Sequence, residues 1–94
     1  MDNVVLKVIK NFKNEQVSIL EGANHGFFLF KVGENFICVR HAGNVVLDSD
    51  WIKKTNAAQK YKLKDFLGGM YISEVKKEIK DGNFKITDLN AIIC

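Results

Sequence analysis

Between residues 16 and 47 the chain is a series of short apolar runs cut by glycine and asparagine, and no proline occurs anywhere in it. Gln16–Glu21, Phe27–Val32, Phe36–His41 and Val45–Leu47 are each of strand length. Between them lie Gly22-Ala23-Asn24-His25-Gly26, Gly33-Glu34-Asn35 and Ala42-Gly43-Asn44. Connections this short leave room only for chain reversal, so neighbouring runs must pair antiparallel. The run Phe36–His41 alternates, with Phe36, Cys38 and Arg40 on one side and Ile37, Val39 and His41 on the other. The middle of the chain is therefore expected to be a meander of three or four antiparallel strands, with at least one face that other elements must cover.

The flanks read as helical. Val4, Val5, Val8, Ile9 and Phe12 recur at i, i+1, i+4, i+5 and i+8, and Lys7, Lys10, Asn11 and Lys13 fall opposite. The β-branched residues favour a strand, but the spacing predicts a helix over 3–13, with Asp2 as N-cap. After the meander, Asp48, Ser49 or Asp50 can cap a helix over Trp51–Lys60, with Trp51, Ile52, Thr55 and Ala58 on one face. Tyr61–Leu67 continues or restarts it, and Gly68-Gly69 stops it. Met70–Asp81 reads as a further helix that buries Ile72, Val75 and Ile79. Phe84–Ile86 reads as extended, and Thr87 as the cap of a terminal turn. The expected fold is thus α+β: an N-terminal helix, an antiparallel meander, and two to three C-terminal helices on one face. With 94 residues and no linker or repeat, a single domain spanning 1–94 is expected.

Composition narrows the function classes. The net charge of +3 is too small to indicate nucleic acid by itself. Cys38 and Cys94, the two cysteines, give neither a disulfide framework nor a zinc ligand set. The opening residues do not read as a secretory leader, since Asp2 stands where positive charge is wanted. No run approaches the ~20 apolar residues of a membrane span. A cytoplasmic protein with no cofactor, metal or membrane partner is expected.

Three features are candidates for function. Lys53, Lys54, Lys60, Lys62 and Lys64 cluster without an intervening acid, beside Trp51 and Tyr61. Such a patch can meet an acidic protein surface or a phosphate backbone. Arg40 is the sole arginine, which argues against base-specific DNA reading. In Phe27-Phe28-Leu29-Phe30, a core-facing Phe27 turns Phe28 outward, or toward a helix or partner, and an exposed Phe there can anchor an interface. The expected partner-binding residues are therefore Lys53, Lys54, Lys60, Tyr61, Lys62, Lys64, Arg40 and Phe28. No catalytic constellation accompanies His25 or His41, so the chain reads as a non-enzymatic protein-binding module.

Two likenesses bear on this reading. Gly22-Ala23-Asn24-His25 followed by Phe27, with Val39-Arg40-His41 at a later strand end, resembles the HicA-type mRNA interferases over residues 3–60. That resemblance implies an α-β-β-β-α fold like double-stranded-RNA-binding domains, and a ribonuclease or RNA-binding role with His25 catalytic. The chain has Ala-Asn where that family has a single Ser before the His, and it continues past Tyr61 where the family does not. The expected chain order, helix, meander and then helices, is also similar to that of some small phage-encoded inhibitors of bacterial defence, including anti-CRISPR proteins. That second likeness implies a protein that acts by occupying an acidic or nucleic-acid-binding surface.

Overall fold

The computed structural model describes residues 6–22 and 26–93. Strands come first: β1 (Leu6–Phe12), β2 (Val17–Gly22), β3 (Phe27–Val32), β4 (Asn35–His41) and β5 (Asn44–Asp48). Helices α1 (Ala57–Phe66) and α2 (Ile72–Lys80), strand β6 (Lys85–Thr87) and the short helix α3 (Leu89–Ile93) complete the chain. One sheet runs β1-β2-β3-β4-β5-β6. The first five strands form an antiparallel meander, and β6 joins β5 in parallel, with Leu47 opposite Ile86.

Several expectations of the fold are corrected. The N-terminal helix over 3–13 is absent: residues 6–12 are strand, and 3–5 lie outside the described residues. A β-bulge caused the misreading. Val8 pairs with Leu20 and Lys10 with Ile19, so Ile9 is an extra residue that breaks the two-residue alternation. The resulting apolar spacing imitates a helix, and the β-branched side chains carried the correct signal. The sheet is also larger than three or four antiparallel strands, because β1 and the parallel β6 both join it, and the fold is mostly sheet. The chain order on which the likeness to phage-encoded inhibitors rested therefore does not occur, and the topology is not the α-β-β-β-α that the interferase resemblance implied.

Turn chemistry sets the register of the meander. The β4–β5 hairpin has the two-residue loop Ala42-Gly43, with φ +49° and +81°. Both residues are left-handed, as a type I′ turn requires. Glycine adopts this freely, but alanine does so at a cost of about 1–2 kcal/mol. The β3–β4 loop is Gly33-Glu34, where Gly33 alone is left-handed at φ +55°.

The sheet buries both faces. On one, Val17, Ile19, Phe30, Cys38, Val45 and Leu47 pack with Trp51, with Leu63 and Phe66 of α1, and with Val75 of α2. A second bulge supports this side: Phe30 pairs with Cys38 and Lys31 with Phe36, which leaves Ile37 as the extra residue in the same cluster as Cys38. On the other face Leu20, Leu29 and Phe36 pack against Leu89 of α3. The helices thus lie on both faces, not on one.

Helix α1 begins later than the acids at 48–50 suggest. Trp51–Lys54 form a turn, with Trp51 N–H donating to Asp48 O (3.0 Å) and Lys54 N–H to Asp50 O (2.9 Å). The cap is Asn56, whose side chain accepts from Gln59 N–H while the Gln59 side chain accepts from Asn56 N–H, both at 2.8 Å. This reciprocal capping box fixes the start of α1. Gln59, Leu63 and Phe66 then form its buried stripe. At α3 the capping side chain is Asp88, accepting from Ala91 N–H at 3.3 Å, and not Thr87.

Candidate functional site

The structure divides the lysine-rich stretch among separate settings, and two of its members are structural. Lys54 Nζ pairs with the Asp48 carboxylate at 3.0 Å. Asp48 is fully buried and also accepts from Leu89 N–H (3.0 Å), Asp50 N–H (3.1 Å) and Asn90 Nδ2 (3.3 Å). Burial pushes its carboxyl pKa up. The hydrogen bonds from Lys54, Asp50 and Leu89 and the Lys54 charge together outweigh that penalty and hold it below the usual 3.8. The same pair raises Lys54 above 10.5, mainly through its hydrogen bond to Asp48. Lys60 Nζ donates to the carbonyls of Ile52 (2.9 Å) and Thr55, closing the turn ahead of α1. Lys53 is exposed, whereas Trp51 belongs to the core.

Phe28, Arg40 and Lys62 come together at a cleft between the sheet and α1. Its floor crosses Ile9, Lys10 and Phe12 of β1, Ile19, Phe28 and Arg40, and its wall is Lys62, Asp65 and Phe66. The volume is about 250 Å³. Phe28 and Arg40 are direct cross-strand partners, so the guanidinium lies 5.1 Å from the Phe28 ring and 5.0 Å from the Phe66 ring. It also donates to Phe66 O at 2.9 Å. That carbonyl ends α1, where a cation suits the negative end of the helix dipole. Arg40 thereby ties β4 to α1, and Phe28 is half-buried beneath it, on the face of the sheet that α1 covers. Lys62 Nζ lies 4.4 Å from the centre of the Phe12 ring, tying α1 to β1.

The remaining pair, Tyr61 and Lys64, faces a groove that α1 shares with the start of α2. Ala57, Lys60, Tyr61 and Lys64 line one side, and Tyr71, Ile72 and Ser73 the other, around about 480 Å³. The Lys64 ammonium sits 4.9 Å from the Tyr61 ring and 4.8 Å from the Tyr71 ring. Both tyrosines stay exposed, at 59% and 60%. Tyr71 was missed in sequence. The signal was its place just past Gly68-Gly69, where the chain returns alongside α1.

Other chemistry is sparse. Among the described residues no three His, Cys, Asp or Glu side chains gather as a metal site would require. Cys38 is buried, and burial pushes its thiol up to about 12, with Arg40 opposing weakly, so it is a packing residue and not a thiolate. His41 is exposed and its ring lies 5.6 Å from that of Phe27. His25, the residue the interferase resemblance made catalytic, lies outside the described residues. No helix among the described residues is long and apolar enough to cross a membrane. Comparison with protein-family models, with curated proteins and with solved structures gives no match.

Proposed function

We propose that this chain is a protein-binding module that engages an acidic surface of its partner through the α1–α2 groove. The observation that carries this reading is the Tyr61–Lys64–Tyr71 arrangement: two exposed aromatic rings bracketing a lysine. Exposed tyrosines supply large contact area for little lost rotamer freedom, and such residues dominate binding energy at interfaces. Lys60 and Lys64 line the groove and no acid does, so a carboxylate-rich partner is complementary to it.

The test is affinity capture with the full chain, comparing wild type with Tyr61→Ala/Tyr71→Ala and with Lys64→Glu. Each variant is first checked for native circular dichroism. A specific partner held by wild type and by Lys53→Glu, but lost from both groove variants, supports the reading. Retention of the same partner by the groove variants refutes it. Lys54 and Lys60 are unsuitable for this purpose, because both are bonded within the fold.

A further inference from the structure

The sheet has an open border at β1, whose neighbour among the described residues is β2 alone. Every residue from Lys7 to Asn11 is exposed, including the apolar Val8 (53%) and Ile9 (42%). An outer strand of this length presents a row of backbone N–H and C=O groups free to pair with another chain. Recognition of extended peptides by strand addition uses such an edge.

Charge decides which chain fits. Residues 6–14 contain Lys7, Lys10 and Lys13 and no acid. The cleft behind the strand extends the positive field with Arg40 and Lys62, against a single acid, Asp65. A second copy pairing β1 with β1 would confront these lysines with one another, and like charges across a strand pair destabilise it. An extended segment with acidic side chains at alternate positions meets the opposite situation.

We propose that β1 receives an extended, acidic segment of a partner protein as a seventh strand of the sheet. Val8 and Ile9 supply the apolar contact, and Lys7, Lys10 and Lys13 select the charge. The proposal does not depend on the α1–α2 groove, which involves none of these residues.

The probe is a short peptide alternating Glu and Val, titrated into the intact protein and followed by amide NMR and hydrogen exchange. Saturable binding is expected, with exchange slowed at those β1 amides that point away from β2. Two controls separate strand pairing from simple attraction. The same peptide N-methylated at alternate residues keeps its charge but cannot complete a ladder, and is expected not to bind. Lys7→Glu/Lys10→Glu, at two exposed positions, is expected to weaken binding by about tenfold or more, because cross-strand attraction becomes repulsion. Equal binding of the N-methylated peptide overturns the proposal, as does equal binding of a Lys–Val peptide. So do the absence of binding and chemical-shift changes confined to Tyr61–Tyr71. The last of these results would leave the groove reading intact.

Discussion

Asp48 is the side chain whose loss is expected to cost the fold most for its size. It stands at the end of β5 and holds Lys54 of the following turn, the first amide of α3 and Asn90 together. Asp48→Ala leaves Leu89 N–H buried without an acceptor, at about 1–3 kcal/mol. It also strips Lys54 of its counter-ion. Breaking a buried ion pair costs about 3–5 kcal/mol in general. The Lys54 side chain is 27% exposed and can rehydrate, so that figure does not apply here, and the loss comes mainly from the donors that lose this acceptor, Leu89 N–H, Asp50 N–H and Asn90 Nδ2. A loss of about 3 kcal/mol is a large part of the roughly 5–10 kcal/mol available to a chain of this length. With a slope of about 1–2 kcal/mol per molar urea, the unfolding midpoint should fall by about 2 M. Trp51, the sole tryptophan and a buried one, reports the transition by fluorescence. Asp48→Asn keeps an acceptor for Leu89 N–H without the charge, and should lose roughly half as much. Hydrogen exchange should show α3 opening in Asp48→Ala before the meander does. A midpoint shift below about 0.3 M, or an α3 as protected as in wild type, would refute this account of Asp48.

Further expectations follow from the same structure. The Asp48 carboxyl is held below 3.8, so its contribution is complete above that value and disappears as pH falls through the lowered pKa. Lys54 is raised above 10.5, so its contribution is complete below that value and disappears as pH rises through the raised pKa. Urea midpoints should therefore be flat between these limits as far as this pair is concerned, and Lys54→Met should remove the alkaline decline. Ala42→Asn places the favoured Asn-Gly pair in the type I′ turn and should stabilise the protein by about 0.5–1 kcal/mol in thermal unfolding; a destabilised variant would show that the turn is not as described. Arg40→Met should cost about 1–3 kcal/mol through loss of the α1 cap and both ring contacts, and an unchanged midpoint would make the clamp incidental. Cys38 should resist iodoacetamide at neutral pH in the native protein and react in urea, read by mass spectrometry of the peptide that contains it.

The meander was legible because its signals are local. Glycine at the turns and apolar runs of three to six residues placed β2 to β5 within a residue or two of where they lie. β1 was not legible, because a bulge at Ile9 depends on the partner strand and leaves only a disturbed alternation in the sequence. The parallel pairing of β5 with β6 was also invisible, since Val46 and Lys85 meet only after two helices have intervened. For the candidate site, the sequence grouped the lysines by proximity but could not see their company. Lys54 is drawn to a carboxylate that folding buries, and Arg40 to a carbonyl that the end of α1 exposes. What a cation does was decided by which acceptors the fold left near it.

The late position of β6 carries a consequence for synthesis. A ribosome delivers residues 85–87 only after the meander and both larger helices have emerged, so β5 waits with an unfilled flank. During that interval β5, and not the short β6, is the second outer strand of the sheet. Of the two, the β5 side lacks lysine: Asn44–Asp48 holds three aliphatic residues in a row and no positive charge to repel a neighbour. Messages cut short before codon 85 should therefore yield products that clump through β5, and chaperones should engage the nascent chain over that window.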